Sequence, residues 1–385
     1  MAKPKLNQPL APSRPLEAEI SACTDQYFQN TKMIVEKFGD ATVTYAVFMR
    51  RPVLAALGLA TDWLEYVAKA REEKFMLESP YQEGDWVGAG EPLLYVTGSF
   101  HALVELENLL LQKIGAPCVA AYNAYAMCVD LPKCAFIAND SRHCAGLEMA
   151  EMMAYAASVG GKAAQKEVGA LGFINSSNDS TAHLFGKTKG SGTMPHALIG
   201  YAGSLRRAVE MYIATHPGDP VTILPDYFGH EVDETLEICR DFPDLIKGDL
   251  LSVRIDTHGG RYMQDLDLAK SYEILERHVP QVLRGYRTEE ELKHLVGTGV
   301  TAAAIWHMRE KLDQAGFAGV KIVASSGFTP AKCKMMAAAN APVDFIGTGS
   351  FLPDDWRETF ATCDIIRYNG KTSVKVGREF LLPKD

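Results

Sequence analysis

From about residue 133 onward, short β-rich runs alternate with helical segments. The runs that read as strands are KCAFIAND (133–140), GALGFINSS (169–177), VTILPD (221–226), LLSVRID (250–256), VKIVASSG (320–327) and VDFIGTG (343–349). Segments of helical pattern lie between the strands, at residues 146–159, 203–215, 264–278 and 330–340. Alternation of this kind predicts a parallel sheet with helices on its outside.

Polar or glycine residues stand at the carboxyl end of every predicted strand. These endings are Asn139-Asp140, Asn175-Ser176-Ser177, Asp226, Asp256, Ser325-Ser326-Gly327 and Gly347-Thr348-Gly349. In parallel α/β barrels and open sheets, ligands bind at the carboxyl ends of the strands. A purely structural barrel needs no carboxylate at two of those ends. We therefore predict an α/β barrel with its functional site at this edge.

The chain before residue 133 has a different pattern. EGDWVGAGEPLLYVTGS (83–99) has glycine-containing turns between short apolar strands, which is typical of an antiparallel meander. Residues 102–129 predict a long apolar helix that Pro117 is expected to break. Near the C-terminus, DIIRYNGKTSVKVGREF (364–380) reads as strand, Asn-Gly turn and strand. We expect this hairpin to return to a separate, smaller first domain.

Composition narrows the possible functions. The 385 residues suffice for roughly two domains, and 47% hydrophobic with 23% charged residues is ordinary globular composition. The net charge of −9 comes without a block of like charge, which argues against nucleic acid as a partner. A small anionic substrate remains compatible, because a local cluster of Arg and Lys can outweigh a weakly acidic surface.

Targeting and cysteine patterns point to an ordinary intracellular protein. The proline-containing N-terminal segment has no apolar core of a signal peptide, and no apolar run approaches the roughly 18 residues of a membrane span. The eight cysteines form no C-x-x-C pair, so neither a zinc knuckle nor a disulfide framework is indicated. A cytoplasmic location is the simplest expectation.

Two glycine turns, SSGF (325–328) and GTGS (347–350), follow the last two predicted strands. Backbone N–H groups of such turns hold phosphate well, and the last two strands of a barrel are a frequent phosphate site. Ordinary tight turns have the same composition. Their position favours phosphate binding by residues Ser326, Gly327, Gly347, Thr348 and Gly349.

Arg254 and Asp256 alternate along a strand and therefore point to the same face. They form either a structural ion pair or a clamp for phosphate or carboxylate, with Asp226 as a second carboxylate nearby. Arg142, just beyond the first barrel strand, suits bidentate binding of an anion, although a surface arginine is the commoner case. His196 ends the bent stretch SGTMPH, where a loop histidine without a role is the default interpretation.

Several segments, taken in order, resemble those of the nicotinate phosphoribosyltransferases, within the type II phosphoribosyltransferases. They are TDQYF (24–28), EGDWVGAGEPLLYVTG (83–98), GFINSSN (172–178), SGTMPH (191–196), RIDTHGG (254–260), the two glycine turns and GKTSVKVGR (370–378). SGTMPH and the E-P-L-L segment are the most specific. The resemblance covers nearly the whole chain after residue 22.

The resemblance implies an irregular, open α/β barrel and an N-terminal α/β sandwich domain completed by the C-terminal hairpin. The expected division is an N-terminal arm (1–22), the sandwich domain (23–130), the barrel (131–352) and a C-terminal segment (353–385). It also implies a homodimer or higher homo-oligomer with shared active sites. The implied reaction joins nicotinate to 5-phosphoribosyl 1-diphosphate, with ATP hydrolysis coupled to it and Mg²⁺ accompanying the diphosphate and ATP.

The resemblance also implies roles for individual residues. His196, Asp226 and Asp256 would be catalytic, and His196 would carry a transient phosphate. The pyridine base and ribose would meet Tyr27, Arg142, Ser177, Thr193 and Arg254. Phosphate would meet the glycine turns and Lys375. No protein ligand to the metal is assigned. Pattern alone places Tyr27 in a core more often than at a ring-stacking site.

Three alternatives remain open. LPDYFGHE (224–231), NDSRHCAG (139–146) and RIDTHGG depart from the family pattern around the substrate, so the base could instead be nicotinamide or quinolinate. Quinolinate carries two carboxylates and should need a denser cluster of Arg and Lys. A barrel lyase or isomerase acting on a sugar phosphate would use the same turns, but none of the six strand ends carries a lysine. A non-catalytic ligand-binding relative is the remaining class.

Overall fold

The computed structural model describes residues 16–383. The chain divides into two compact units. We call residues 16–123, 151–163 and 352–383 the antiparallel unit, and residues 124–150 and 164–351 the parallel unit. Residues 1–15 of the predicted arm lie outside the described part, and the first helix begins at Leu16. The domain boundaries drawn from the sequence stay predictions.

The strands, in chain order, are β1 (Thr42–Phe48), β2 (Val53–Leu54), β3 (Met76–Glu78), β4 (Trp86–Val87), β5 (Pro92–Ser99), β6 (Ala135–Ala138), β7 (Gly172–Ser176), β8 (Val221–Ile223), β9 (Leu251–Ile255), β10 (Lys321–Ala324), β11 (Phe345–Thr348), β12 (Thr362–Tyr368) and β13 (Lys371–Thr372).

The helices are α1 (Leu16–Cys23), α2 (Gln26–Phe38), α3 (Gly58–Ala70), α4 (Phe100–Leu103), α5 (Glu107–Asp130), α6 (Asp140–His143), α7 (Leu147–Val168), α8 (Asp179–Ala182), α9 (His196–Ala202), α10 (Leu205–Thr215), α11 (Glu231–Asp241), α12 (Pro243–Lys247), α13 (Leu268–His278), α14 (Gln281–Arg284), α15 (Glu289–Val296), α16 (Ala302–Gln314) and α17 (Pro330–Ala338). Short 3₁₀ turns occupy His183–Phe185, Trp356–Thr359 and Glu379–Leu381.

The antiparallel unit is built on a five-stranded sheet in the order β13-β12-β1-β5-β3. β1 pairs antiparallel with β12 on one side and with β5 on the other. Asn369 and Gly370 join β12 to β13, and both take the left-handed conformation that a tight hairpin turn requires, with φ of 47° and 75°. The predicted return of the C-terminal hairpin to the first sheet is therefore confirmed.

The core of this unit draws on both ends of the chain. One buried cluster consists of Ala46, Phe48, Tyr95, Ile366 and Leu381. The Tyr95 hydroxyl donates to the carbonyl of Leu381 at 3.0 Å, which satisfies a phenol that the sheet otherwise buries. Residues beyond position 360 therefore supply part of the first unit's hydrophobic core.

Two expectations about this unit are wrong. The segment 83–99 does not form a meander, because β4 pairs with β2 in a separate two-stranded sheet while β5 pairs with β1 and β3. The helix α5 continues through Pro117. A proline inside a helix removes one backbone hydrogen bond, but this stretch is largely buried, and its packing favours helix over the local preference.

The parallel unit contains a six-stranded sheet in the order β7-β6-β11-β10-β9-β8, with every neighbouring pair parallel. Each strand falls inside one of the six segments predicted from the sequence. β7 and β8 are the two edges, so the sheet is open. The expected α/β class, with an open and irregular parallel sheet, is confirmed.

Several helices of this unit begin at a side chain that caps the first turn. An oxygen of each capping residue accepts a hydrogen bond from a backbone N–H in that turn, which satisfies a donor that has no partner within the helix. The capping residues and their helices are Ser204 for α10, Asp267 for α13, Thr288 for α15, Thr301 for α16 and Thr329 for α17.

All eight cysteines are free thiols, and Cys118, Cys128, Cys134, Cys239 and Cys333 are buried. Burial raises the pKa of the Cys239 thiol to about 11, so it stays protonated at neutral pH. Among the described residues, no helix combines the length and the apolar character needed to cross a bilayer.

The tightest glycine contact in the antiparallel unit generates a prediction. A Cβ at Gly115 would lie 1.7 Å from the Thr359 carbonyl oxygen. Gly115→Ala must displace backbone and should lower the free energy of unfolding by about 3 kcal/mol or more. Gly285→Ala is the control, because a Cβ there meets nothing within 4 Å. Equal denaturant midpoints for the two variants would contradict the prediction.

Candidate functional site at the carboxyl edge of the parallel sheet

All parallel strands present their carboxyl ends at one edge, and the polar strand endings predicted from the sequence gather there. Asp140 follows β6, Asn175 and Ser176 end β7, Asp226 follows β8, and Asp256 follows β9. The turn at residues 325–329, which we call the serine–glycine turn, follows β10. Residues of different strands thus meet although they are far apart in sequence, as this sheet type requires.

A fully buried carboxylate organises the β6–β7 side of this edge. Asp140 is 0% exposed and accepts hydrogen bonds from Ser176 Oγ at 2.8 Å, Asn178 Nδ2 at 3.0 Å and Thr181 Oγ1 at 3.1 Å. Ser176 Oγ accepts a further bond from Thr181 at 2.7 Å. Three donors on one carboxylate offset its desolvation and hold the loop after β7 in one conformation.

The loop that carries SGTMPH is attached to the end of β7. Asn175 Nδ2 donates to the Lys189 carbonyl at 3.0 Å and to Ser191 Oγ at 2.7 Å, while the Ser191 amide donates to the Ser176 carbonyl at 2.8 Å. Gly190 is required for this close approach, since a Cβ there would lie 2.6 Å from the Asn178 backbone. His196 therefore leaves an anchored loop.

His196 is the first residue of α9, directly after Pro195. Its Nε2 lies 2.9 Å and 3.0 Å from the two carboxylate oxygens of Asp226. A carboxylate accepts, so Nε2–H donates and Nδ1 keeps a free lone pair. The Tyr227 ring lies beside the imidazole, with centroids 6.3 Å apart. The structure thus brings together two of the three residues predicted to be catalytic.

Asp226 is in turn held through its own backbone. Arg261 Nη2 donates to the Asp226 carbonyl at 3.0 Å and pairs with the Glu231 carboxylate at 2.6 Å. Glu231 is 0% exposed and also accepts from Thr257 Oγ1 at 2.8 Å and from the amide of Gln264 at 3.2 Å. This buried carboxylate fixes the guanidinium that orients the turn after β8.

Arg254 and Asp256 face the same side of β9, as their alternation predicted. Arg254 Nη2 lies 3.4 Å from Asp256 Oδ2, and Nη1 donates to Thr193 Oγ1. Burial lowers the pKa of Arg254; the carboxylates of Asp256 and Asp226 oppose that shift, and the positive charge of Arg142 adds to it. Arg254 Nε is buried without a hydrogen-bond partner among the described residues. A ligand oxygen would satisfy it.

The two predicted phosphate turns differ. Ser326 and Gly327 both have left-handed backbones, with φ of 78° and 65°, and both are exposed, an arrangement that turns backbone N–H groups outward. Thr348 is buried, donates to the Phe328 carbonyl at 2.8 Å and accepts from the Ser350 amide at 2.9 Å. Its hydroxyl is therefore already used within the protein.

The glycines flanking Thr348 allow close packing of the β6–α6 turn. A Cβ at Gly349 would lie 2.3 Å from His143 Cδ2, and one at Gly347 would lie 3.3 Å from Asn139 Nδ2. Ser177 is exposed at the same edge, and its amide donates to the Ala138 carbonyl at 2.9 Å. Arg142, in α6, is exposed.

Tyr27 and Lys375 lie in the antiparallel unit, where both line one cavity of about 480 Å³. Tyr27 is 60% exposed, so the commoner core interpretation of that residue is wrong. Glu107, at the start of α5, also lines this cavity together with Asp364. Burial, followed by repulsion from Asp364 and Asp25, raises the pKa of Glu107 to about 7.

Sequence reasoning missed three contributors. Asp140 and Asn175 stood among the polar strand endings, so their position was a usable signal, but their buried hydrogen bonds depend on tertiary contacts. Glu231 was missed because an acidic residue in the first turn of a helix is usually solvated.

A third cation also escaped the sequence argument. Lys332, in the first turn of α17, is 6% exposed, and its Nζ donates to the Ser326 carbonyl at 2.8 Å. No strand ends in a lysine, yet this one reaches the edge from a helix. Its only sequence signal is its place just after a predicted phosphate turn.

No family model matches the chain, and no curated protein matches it significantly. Solved structures do match. Nicotinate-nucleotide pyrophosphorylase from Pyrococcus furiosus is 23% identical, over 96% of this chain and 81% of that one, with a TM-score of 0.65. The human nicotinic acid phosphoribosyltransferase is 14% identical, over 91% of this chain and 76% of that one, with a TM-score of 0.55.

Nicotinate-nucleotide pyrophosphorylase from Ehrlichia chaffeensis is 13% identical, over 92% of this chain and 99% of that one, with a TM-score of 0.54. At these identities the likeness establishes the fold. The chain shares with these proteins a mixed α/β architecture in which a parallel six-stranded sheet accompanies an antiparallel sheet that includes the C-terminal strands.

The raised pKa of Glu107 generates a prediction about stability. The folded state binds this proton more tightly than the unfolded chain, whose pKa is near 4.5. The stabilisation is complete below pH 4.5 and is lost as the pH rises through 7. Glu107→Gln should therefore raise the free energy of unfolding at pH 8 by on the order of 1–2 kcal/mol, with the gain shrinking towards pH 4.5.

Thermal unfolding across that pH range measures the effect. Glu36→Gln serves as the control, because Glu36 is exposed on α2 in the same unit. A pH-independent difference between wild type and Glu107→Gln would show that Glu107 does not titrate as described.

Proposed function

We propose that the protein transfers the 5-phosphoribosyl group of 5-phosphoribosyl 1-diphosphate to a pyridine base, with nicotinate as the base. The observation that carries the proposal is the arrangement at one sheet edge: the His196–Asp226 pair and the Arg254–Asp256 pair beside the left-handed serine–glycine turn. The structural neighbours, named for nicotinate nucleotide or nicotinic acid, support the choice of a pyridine ring.

In the transfer step, the bond between ribose C1 and the diphosphate oxygen breaks, and diphosphate leaves with the electron pair. The lone pair of the pyridine nitrogen forms the new bond to C1. Positive charge develops on the ribose as the bond lengthens, and the carboxylates of Asp226 and Asp256 are the groups at this edge that would stabilise it. Ser326 and Gly327 would hold a phosphate of the donor through their amides.

Magnesium would assist the leaving diphosphate by neutralising its charge. Among the described residues, no three His, Cys, Asp or Glu side chains are grouped as a metal site. Mg²⁺ is commonly held by one or two carboxylates together with substrate phosphates. The residues present therefore fit an ion that arrives with diphosphate or ATP and touches Asp226 or Asp256, rather than a resident metal.

Recognition of nicotinate needs a cation for the carboxylate and a surface for the ring. Arg254 offers a buried Nε without a partner, and Arg142 adds positive charge nearby. Ser177 and Thr193 would hydrogen-bond the ribose or base. We extend the proposal to a homodimer or higher homo-oligomer with shared active sites, in which Tyr27 stacks on the ring and Lys375 contacts phosphate.

ATP coupling would run through His196. With Nε2–H donated to Asp226, the free lone pair of Nδ1 would attack the γ-phosphorus of ATP. The bond between that phosphorus and the bridging oxygen breaks, and ADP leaves with the electron pair. Asp226 would orient the ring and stabilise its positive charge. Later hydrolysis of the N–P bond would return His196 to its starting state.

A pyridine dicarboxylate such as quinolinate is the second candidate base. The observation in its favour is Lys332, which adds a third cation to Arg142 and Arg254 in the parallel unit. Two of the neighbours described above are nicotinate-nucleotide pyrophosphorylases. A second carboxylate would find its countercharge more readily with this lysine than with the two arginines alone.

The choice of base is tested by diphosphate release from pure protein given Mg²⁺, the phosphoribosyl donor and one base at a time. We expect nicotinate to exceed nicotinamide by roughly tenfold to a hundredfold in kcat/KM, because the amide lacks the charged partner of Arg254. Faster release with quinolinate would transfer the assignment to the second candidate. No release with any base would refute phosphoribosyl transfer.

The role of His196 is tested with γ-labelled ATP. We expect a protein label that is acid-labile and base-stable, that disappears in His196→Ala, and whose loss is accompanied by loss of ATP stimulation of the transfer. His216→Ala, which alters a half-exposed histidine at the end of α10, is the control and should label normally. Undiminished labelling of His196→Ala would exclude the phosphohistidine.

A further inference from the structure

The serine–glycine turn contains an unsatisfied group. Ser325 Oγ is buried and has no hydrogen-bond partner among the described residues. A buried hydroxyl without a partner costs free energy, so an uncompensated one at a ligand edge indicates a missing acceptor or donor. The next two residues, Ser326 and Gly327, are the exposed left-handed pair whose amides point outward.

Lys332 lies behind this turn and is the second unusual group. Its Nζ donates to the carbonyl of Ser326 at 2.8 Å and lies 4.2 Å from the centroid of the Phe328 ring. Of the three N–H bonds of the ammonium, only this one has an acceptor among the described residues. None of those residues places a carboxylate within 4.0 Å of Nζ. Lys332 is nonetheless 6% exposed.

A buried ammonium without a paired carboxylate is unfavourable unless another anion compensates it. The Phe328 ring supplies part of that compensation. The remaining anion would have to come from outside the protein. The turn offers the complementary arrangement for one, because the outward amides of Ser326 and Gly327 and the free hydroxyl of Ser325 are all donors.

We propose that Ser325 and Lys332 complete a phosphate site at this turn, in which the Ser325 hydroxyl donates to the bound phosphate and Lys332 positions the turn while supplying its countercharge. The ligand is a phosphate monoester in its dianionic form. This inference rests on the proposed function only for the statement that the phosphoribosyl donor brings the phosphate. A site for phosphate stands without it.

The protonation state of Lys332 connects the site to pH. Burial lowers the pKa of Lys332 to about 8, with attraction to Asp256 opposing the shift. The other titratable groups near it are Cys333 on its own helix and His294 on α15. Burial raises the pKa of Cys333, and burial and Lys332 lower the pKa of His294, so both are neutral near pH 8. The ammonium charge is therefore present below about pH 8 and lost above it.

The experiment measures binding of ribose 5-phosphate to the full chain by calorimetry between pH 7.5 and 9.5. A phosphate monoester with a second pKa of about 6 is a dianion throughout that range, so the probe itself does not titrate. For the wild type we expect Kd to weaken by roughly tenfold across the range, as a charged hydrogen-bond partner is lost. Constant affinity across this range would overturn the role of Lys332 without any variant.

Variants sharpen the result. Lys332→Met should bind roughly tenfold or more weakly at pH 7.5 and lose the pH dependence, and Lys332→Arg should keep binding without the alkaline loss. Ser325→Ala should weaken binding several-fold at every pH. Lys334→Met is the matched control, since Lys334 is exposed two residues along the same helix. Equal losses in Lys334→Met and Lys332→Met would refute the site.

The outcome separates this inference from the proposed function. Phosphate binding with the expected pH dependence, but no diphosphate release with any base, would leave the site in place and remove the reaction. Normal transfer by Lys332→Met with an unchanged KM for the phosphoribosyl donor would do the reverse. A rise in that KM at constant kcat is the kinetic result we expect.

Discussion

The arrangement of the parallel sheet's edge depends on a buried carboxylate that must be hydrogen-bonded. Asp140 has no contact with water, so its charge is tolerated only while Ser176, Asn178 and Thr181 donate to it. Those donors all lie in or just after β7. Folding of that loop and solvation of the carboxylate are therefore one event, and the segment leading to His196 inherits its position from it.

The edge is locally cationic in a chain whose net charge is −9. Arg142, Arg254 and Lys332 lie on or near it, and the two carboxylates closest to them, Asp226 and Asp256, are each engaged by a basic side chain. Such an edge attracts small anions while the surrounding surface repels large polyanions. Burial strengthens the effect, because partly desolvated charges are screened less than exposed ones.

The elements that the sequence predicted correctly are those with a strong local pattern. Six apolar runs with polar ends became the six parallel strands, and the Asn-Gly pair became a hairpin turn. The alternation of Arg254 and Asp256 placed both on one face, because a strand has a period of two residues. Proximity of His196 to Asp226 followed from their common edge, although the roles of both residues remain predictions.

What the sequence could not predict depends on long-range pairing and on burial. β4 and β5 are close in sequence and still belong to different sheets, because their partners, β2 on one side and β1 and β3 on the other, come from elsewhere. Pro117 sits in a helix because the surrounding packing outweighs one lost hydrogen bond. Lys332 and Glu107 are ordinary charged residues of first helical turns by pattern, and only the folded chain shows how far each is removed from water.

The position of β12 inside the antiparallel sheet has a consequence for how the protein is made. β12 lies between β13 and β1, so the sheet lacks an interior strand until residue 368 has been synthesised. The first residues to leave the ribosome must wait for nearly the last, whereas the strands of the parallel sheet are complete by residue 348. During synthesis β1 therefore has an unpaired edge, which is a surface that nascent chains commonly need chaperones to protect.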